Sequence, residues 1–509
     1  MRSKNGLGHK NKRSFVLDVF SFITSSDQAY ILAIFLTINA ILLSGIISNL
    51  RIAVVILFLA VFVVWLRFKN LFVASVLVSV FTLPIIYPNK YYFIEVIRGE
   101  EILEQIYQEG YLVGYGLNIP NIFILLGFVS GIFEIIKRKS RPIKIKSTAV
   151  KLVLLSGVGF FLACLAASIK YSPFIDLSLT WTLQYMQLFV IAFLILLFYL
   201  TAKSKFNLIS LSIISAVILE GALALLQFAR QGFAGIPIEA AAGTAFPLGL
   251  DEVNAIFRVA GSLMFHNQLA LVMLTYLILL LPHFLQRRKA LDFLGILICV
   301  ITIVLTQSRS VWIASLAVGF LAASIFKKEI VAFANLMGTR KVIIYSVIIA
   351  LGLSYIVLPR VVLSFNAFYE GAGIPIRLKL LKEALDAFVQ NPWIGYGVGT
   401  NEYVLHSLFP TGVTTVFPTV VHAGILQLIL EVGLIGICFI LLPFFLILRG
   451  IINGRFLKSQ ILQKRQFPFS FIAGLLAFFL YYLFLPHVGI IEFAYLGIIL
   501  GYGMVSFEV

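Results

Sequence analysis

The chain has 509 residues, of which 61% are hydrophobic and only 12% are charged, and its formal net charge is +17. A water-soluble protein needs far more surface charge, so we predict a polytopic membrane protein. The basic residues are scattered along the chain, which argues against a nucleic-acid partner. Cys164, Cys299 and Cys438 lie in apolar runs and predict neither a disulfide framework nor a cysteine-based metal site.

The first 28 residues form a basic tail without a signal-peptide cleavage site, and we expect this tail to be retained in the cytoplasm. Fourteen apolar stretches follow, each close to the ~20 residues that a helix needs to cross a bilayer. They predict an all-α bundle of about 12–14 transmembrane helices without an internal repeat. The stretches are 29–48, 52–66, 70–87, 119–136, 149–169, 181–201, 206–229, 262–285, 291–306, 310–326, 341–358, 420–448, 467–485 and 489–506.

With the N-terminus inside, most Lys and Arg fall in inner segments such as 137–146 and 455–465, as the positive-inside rule requires. The long outer loops are 88–120, 230–258 and 359–421. The predicted parts of the chain are a cytoplasmic tail (1–28), transmembrane helices 1–11 (29–358), a large extracytoplasmic loop with an amphipathic helix (359–421) and C-terminal transmembrane helices (422–509).

Arg258 ends the second outer loop, directly before an apolar span. A charged group near hydrocarbon is costly, by about 2.5 to more than 10 kcal/mol at the bilayer centre, and so indicates function. The alternative is an interfacial arginine whose side chain reaches back to water, and the sequence does not separate the two. Nearby, we interpret His266 as a packing residue and Asn267 as a supporting residue that fixes a helix contact.

A polar stretch, TQSRS (306–310), separates two apolar runs at the predicted outer face. A hairpin turn is the simplest interpretation, but a turn does not need an arginine at its tip. We therefore predict that Arg309 binds an anion.

The third outer loop contains PIRLKLLKEALDAFVQNP, which predicts an amphipathic helix that stops before Pro392. We place it outside or along the bilayer, because irregular backbone of this loop's length cannot lie in hydrocarbon. Arg377 lies in its first turn, where the helix dipole would favour an acid, and we predict that it presents its guanidinium to an anion. The apolar residues expected on one face are Leu378, Leu381, Leu385 and Phe388.

His422 ends the third outer loop at the start of an apolar span. An isolated histidine is usually structural, but partial desolvation here would keep the imidazole neutral and able to accept a proton. We predict that His422 is a general base. Glu431 either supports the site as a polar partner or packs against a neighbour, and the same two interpretations are open for Glu220.

Three arginines and one neutral base on a single membrane face suit cleavage of a diphosphate ester. Guanidinium groups bind phosphate bidentately and stay charged at every accessible pH. They can neutralise the charge that develops on a diphosphate leaving group, while a histidine takes the proton of an attacking hydroxyl. No pair of carboxylates stands out in the outer segments, so we expect arginine to replace a metal ion and expect no cofactor.

Four segments resemble the O-antigen ligase and polymerase superfamily, which are bacterial membrane glycosyltransferases with a GT-C type architecture. They occur in the family's order and span roughly the C-terminal half, and the last two are the more specific. The segments are FRVAGSLMFHNQLA (257–270), TQSRSVWIASL (306–316), RLKLLKEALDAFVQNPWIGYGVGTNEYV (377–404) and VHAGILQLILEVGLIG (421–436).

The resemblance implies transfer of a glycan from an undecaprenyl-diphosphate carrier to an acceptor sugar hydroxyl, at the outer face of the cytoplasmic membrane and without metal or nucleotide. It implies that His422 is the base and that Arg258 and Arg377 hold the diphosphate, while Arg309 matches the family's Ser-Arg pair. The implied partners are the carrier-linked donor, a glycan or lipid-linked acceptor, the bilayer, and a chain-length regulator or another polysaccharide-assembly protein.

The motifs do not separate a ligase from a polymerase, although the long outer loops favour a polymerase. A polysaccharide or lipid-linked-glycan transporter or flippase is the alternative from another class, and a scaffold of an export system is the third. An enzyme predicts that the three arginines and His422 converge in one outward-facing cavity. A transporter predicts polar groups at mid-depth.

Overall fold

The computed structural model describes residues 50–85, 119–138, 148–172, 175–235, 257–263, 265–338, 374–413, 424–454, 462–484 and 490–508, with isolated positions in 31–41 and 344–362. In these residues all regular structure is helical, which confirms the predicted all-α class. The predicted tail (1–28) and the first long outer loop lie outside the described residues, apart from the loop's last two positions.

The described helices run in the following order. The first eight are α1 (Leu50–Phe68), α2 (Leu71–Thr82), α3 (Ile119–Lys137), α4 (Thr148–Tyr171), α5 (Ile175–Tyr185), α6 (Gln187–Ala202), α7 (Leu208–Arg230) and α8 (His266–Arg287). The next eight are α9 (Ala290–Leu305), α10 (Arg309–Ile325), α11 (Lys327–Met337), α12 (Ile374–Gln390), α13 (Asn401–Leu408), α14 (Gly424–Asn453), α15 (Leu462–Phe484) and α16 (Ile490–Val505).

Seven helical stretches of the described residues are long and apolar enough to cross a membrane, and α10 with α11, which meet at 87°, make an eighth if they form one bent span. Four more predicted spans (52–66, 70–87, 291–306 and 489–506) contain shorter apolar helices. The remaining two, 29–48 and 341–358, lie largely outside the described residues. The total number of spans therefore stays a prediction.

Helix α8 is central in the bundle, since 89% of its apolar stretch is buried in the protein, compared with 33% for α3. It packs against α7, α9 and α15, while α6 packs along α16. Gly497 and Gly501 lie about one turn apart on α16, and a Cβ at Gly497 would come within 2.7 Å of the Leu188 carbonyl oxygen. These two glycines let the backbones of α6 and α16 approach closely, as small residues do in membrane helix pairs.

Segments predicted to be cytoplasmic meet at one end of the bundle. The Arg138 guanidinium after α3 donates to the Thr201 carbonyl of α6 at 3.2 Å. Arg465 of α15 donates to the Ile325 carbonyl at the end of α10 at 2.7 Å. We call this the basic end and the opposite end, which carries the family-like segments, the motif end. The alternation of the spans and the end that faces the cytoplasm stay predictions.

Candidate functional site

Residues 257–263 cross the motif end as irregular backbone, and a glutamine of α7 holds the part at 260–261. The Gln227 Oε1 atom accepts the backbone N–H groups of Ala260 at 3.0 Å and Gly261 at 2.9 Å. Its Nε2 atom donates to the Gly261 carbonyl at 2.8 Å. Buried irregular backbone needs such partners, because hydrocarbon offers none. Gln227 therefore fixes the segment that carries Arg258.

Glu220, two turns before Gln227 on the same face of α7, holds the next part of this segment. Its carboxylate accepts the backbone N–H of Ser262 at 2.9 Å and lies 2.5 Å from the Ser262 hydroxyl. Glu220 is fully buried, and its contacts are those of a hydrogen-bonded packing residue, one of the two interpretations left open by the sequence. Sequence reasoning missed Gln227, although a second polar residue seven positions after Glu220 in an apolar run was a usable signal.

Arg258 contacts the turn that precedes Arg309. The half-buried Arg258 side chain donates through Nη2 to the Gln307 carbonyl at 3.3 Å. Gln307 has a left-handed backbone conformation (φ 53°), which reverses the chain between α9 and α10. The turn's other polar side chains are buried, whereas Arg309 begins α10 and is exposed. Two predicted anion-binding residues thus belong to touching segments.

The other predicted site residues are located less completely. Helix α8 begins at His266, so Asn267 lies in its first turn, where it is half-buried. Arg377 lies in the first turn of α12 as predicted, but its side chain is outside the described part of the structure. His422 also lies outside the described residues, two positions before α14 begins. Convergence of all four predicted residues stays a prediction.

The predicted amphipathic helix is present as α12, and it packs on the protein mainly through residues other than those of the predicted apolar face. Leu381 and Phe388 are partly buried, whereas Leu378 is 61% exposed and Leu385 is 46% exposed. The apolar residues that α12 buries are Leu380, Ala384 and Ala387. The helix has two apolar stripes, and the one with the smaller side chains packs in a cluster with residues of α13 and α14. The exposed stripe fits a helix that lies along a bilayer surface.

Helix α12 ends in a turn, 391–400, that docks onto a break in α14. At Gly433 (φ 63°, ψ −178°) the backbone of α14 is not helical. The break frees two carbonyls before it and two N–H groups after it, and all four bond to the turn. The bonds are Tyr396 N–H to Leu430 O (3.1 Å), Gly397 N–H to Glu431 O (2.9 Å), Leu434 N–H to Pro392 O (2.9 Å) and Ile435 N–H to Trp393 O (3.1 Å). We call residues 391–400 with 430–435 the turn–helix junction.

Two glycines make the turn–helix junction possible. A Cβ on Gly395 would lie 2.5 Å from the Glu431 carbonyl oxygen, and a Cβ on Gly433 would lie 2.5 Å from the Trp393 carbonyl oxygen. Both have positive φ, 78° for Gly395 and 63° for Gly433, which side chains disfavour. The two most specific family-like segments, NPWIGYGVG and EVGLIG, are therefore two halves of one structural unit.

Tyr396 fastens the turn back onto α12. Its hydroxyl donates to the Ala387 carbonyl at 3.0 Å, and its ring meets that of Tyr171 with centroids 6.2 Å apart. Burial, with a smaller contribution from Tyr171, raises the pKa of the Tyr396 phenol. The group therefore remains protonated, as a hydrogen-bond donor must be.

Glu431 supports the junction from inside the bundle. Its carboxylate accepts from the Asn401 amide (2.5 Å), the Gln427 amide (3.2 Å) and the Tyr185 hydroxyl (3.2 Å). It is fully buried, so these donors replace the water that the carboxylate loses. Glu431 thereby ties α5, α13 and α14 together at the motif end.

Two further contacts connect the surroundings of Glu431 to α8. The Tyr185 ring stacks on Phe493 of α16, with centroids 4.1 Å apart. The neighbouring Glu492 accepts from the Gln268 amide in the first turn of α8 at 3.2 Å. These contacts connect the turn–helix junction to α8, the helix that follows Arg258. Among the described residues, no group of three His, Cys, Asp or Glu side chains could hold a metal ion.

Part of the chain matches a known protein family. Residues 294–441 match the family model described as O-antigen ligase. The match runs from α9 through the turn–helix junction and includes the positions of Arg309, Arg377, His422 and Glu431, whereas Arg258 precedes it. No curated protein matches the chain. The match to residues 294–441 supports the O-antigen ligase and polymerase superfamily and, together with the apolar helices, a membrane enzyme that processes glycans.

Proposed function

We propose that this protein transfers a glycan from an undecaprenyl-diphosphate carrier to the hydroxyl of an acceptor sugar, at the extracytoplasmic face of a bacterial cytoplasmic membrane. The observation that carries the proposal is the contact of Arg258 with the Gln307 turn, inside a fold whose family processes glycans. It gives one end of the bundle two guanidinium groups on touching segments. Such groups suit the diphosphate of a lipid carrier.

In the proposed reaction His422 takes the proton from the acceptor hydroxyl, whose oxygen attacks the anomeric carbon of the carrier-linked sugar. The bond between that carbon and the diphosphate oxygen breaks, and the electron pair leaves with the carrier diphosphate. Arg258, Arg309 and Arg377 neutralise this leaving group, so the mechanism does not need a metal ion. A single displacement inverts the anomeric centre, so an α-linked donor gives a β-linked product.

The hydrogen bonds of the buried acids support an enzyme over a transporter. Transporters place ion and substrate sites near the bilayer midplane, where ionisable groups serve the transport path. In the described part of the bundle, Glu220 and Glu431 are instead bonded to nearby donors that hold the motif end together. Their contacts account for these acids without a transport path.

The test is glycan transfer by the full-length protein in proteoliposomes with a lipid-diphosphate-linked glycan donor. We expect His422→Ala to lower the rate about 10²- to 10⁴-fold and Arg258→Ala or Arg377→Ala about 10²- to 10³-fold. Two control variants are matched to these changes. His406→Ala removes a half-buried histidine of α13, and Lys382→Ala removes an exposed cation of α12.

Each outcome has a defined meaning. Products extended by many repeat units indicate a polymerase, for which a chain-length regulator is the proposed partner, and a single addition to a lipid or protein acceptor indicates a ligase. If His422→Ala transfers glycan as fast as His406→Ala, the assignment of the base is wrong. If no acceptor is glycosylated but donor lipid crosses the bilayer, the protein is a flippase.

A further inference from the structure

A polar cavity of about 120 Å³ lies at the basic end, about 25 Å from Gln227 along α7 at 1.5 Å per residue. A cavity of only about 10–15 Å³ holds one water molecule, so this cavity admits a larger group. Residues of α6, α7, α8, α15 and α16 surround it. Its polar lining includes Tyr199, Lys203, Ser210, His283, Arg287 and Gln466.

Tyr199 indicates that this cavity takes a ligand. The residue is only 3% exposed, and its hydroxyl has no hydrogen-bond partner among the described residues. A buried hydroxyl without a partner costs about 1–3 kcal/mol, so it is expected where a ligand supplies the missing acceptor. The Lys203 Nζ atom lies 5.2 Å from the centroid of the same ring, at the exposed rim.

The charge of the cavity selects an anion. Lys203 and the half-buried Arg287 line it, and no Asp or Glu is among its described lining residues. A guanidinium fork, an ammonium, a phenol and the Gln466 amide together offer more donors than one carboxylate accepts. A phosphate group, with three or four oxygens around one centre, matches such a set.

A serine and a histidine of the lining contact each other, and the histidine also contacts an aspartate that does not line the cavity. This arrangement resembles the catalytic residues of a hydrolase. His283 Nδ1 lies 3.1 Å from Asp292 Oδ2, and His283 Nε2 lies 3.3 Å from Ser210 Oγ. However, the Ser210 hydroxyl donates its only proton to the Asn207 carbonyl at 2.6 Å. The proton of the Ser210 hydroxyl is therefore not directed at Nε2, so the serine is not activated for attack. Ser210 and His283 are thus polar groups of the cavity wall and not a catalytic pair.

We propose that the cavity at the basic end binds a phosphate group, carried by a lipid headgroup or free in solution. Its distance from the motif end is close to the thickness of the hydrocarbon layer, which puts it at the depth of the opposite headgroups. Basic pockets between transmembrane helices are known binding places for phosphate headgroups. The site is separate from the proposed glycan-transfer site and does not depend on it.

The experiment measures ligand binding to the full-length protein in neutral detergent. Inorganic phosphate, at ionic strength matched with chloride, and phosphatidylglycerol are titrated separately while the midpoint of thermal unfolding is followed. We expect Arg287→Gln to weaken binding about tenfold and Tyr199→Phe about three- to tenfold. Without ligand, Tyr199→Phe should unfold at the wild-type temperature or slightly above it, since the hydroxyl it loses has no partner.

The control is Arg288→Gln, which removes an exposed arginine beside Arg287 that does not line the cavity. Stabilisation by both ligands, dependent on Arg287 and Tyr199, supports a general phosphate site. Stabilisation by phosphatidylglycerol alone, with the same dependence, supports a headgroup site. If neither ligand stabilises the protein, or if Arg288→Gln weakens binding as much as Arg287→Gln, the proposal is overturned.

Discussion

Replacing Gly433 by alanine tests whether the turn–helix junction is a rigid unit. An alanine at φ 63°, ψ −178° costs about 1–3 kcal/mol in backbone strain. Its Cβ would also lie 2.5 Å from the Trp393 carbonyl oxygen. The turn must therefore move away, which sacrifices up to four backbone hydrogen bonds at about 0.5–1.5 kcal/mol each. The loss of all four, with the strain, amounts to at least about 3 kcal/mol, or more than a hundredfold in the docking equilibrium.

Amide hydrogen exchange measured by mass spectrometry reports this equilibrium directly. In Gly433→Ala, the amides of Tyr396 and Gly397 should exchange more than a hundredfold faster, and glycan transfer should fall in proportion to the undocked fraction. Gly319→Ala is the control, because a Cβ added to this glycine of α10 would meet no atom within 4 Å and helical Gly→Ala is mildly stabilising. Exchange in Gly433→Ala at the rate of the control would refute the reasoning.

Three further predictions concern polar contacts at the motif end. Gln227→Leu should lower the free energy of unfolding by about 2–4 kcal/mol, because it leaves buried backbone groups of 260–261 unpaired. Gln390→Leu, at an exposed position of α12, should change it by no more than about 0.5 kcal/mol in a denaturant titration. Glu431→Gln should lower the free energy of unfolding by about 2 kcal/mol, since an amide NH₂ then faces donors. Tyr185→Phe should lower it by about 1 kcal/mol, and equal values for the two variants would contradict the hydrogen bonds described for Glu431. Arg258→Lys should slow glycan transfer about tenfold with an unchanged unfolding midpoint, since the ammonium keeps the charge and loses the bidentate fork.

The helical membrane architecture was predictable because hydrophobicity is a local property of each segment. The amphipathic helix was found in the same way, from periodicity and the following Pro392. Its packed face was not, since Leu380, Ala384 and Ala387 repeat at helical spacing as well as the larger leucines do. Which stripe meets the protein depends on α13 and α14, and a single sequence does not reveal those neighbours.

The contacts of the candidate site were likewise not predictable from the sequence alone. Glu431 was singled out as a buried acid, but its donors Asn401 and Tyr185 lie 30 and 246 positions away, so no spacing rule connects them. The break at Gly433 was hidden because EVGLIG reads as an uninterrupted apolar helix. The contact between Arg258 and the turn of Arg309 agrees with the prediction of a shared face, which followed from alternating spans and not from any local pattern.

The turn–helix junction changes what the family's signature can tell us about other chains. The NPWIGYGVG and EVGLIG segments accommodate each other through Gly395 and Gly433, and neither glycine has a side chain that could take part in a reaction. A relative that retains both segments but lacks the arginines would keep this architecture and lose the chemistry. Conversely, exchanging one segment between distant relatives should disrupt folding, whereas exchanging both together should not.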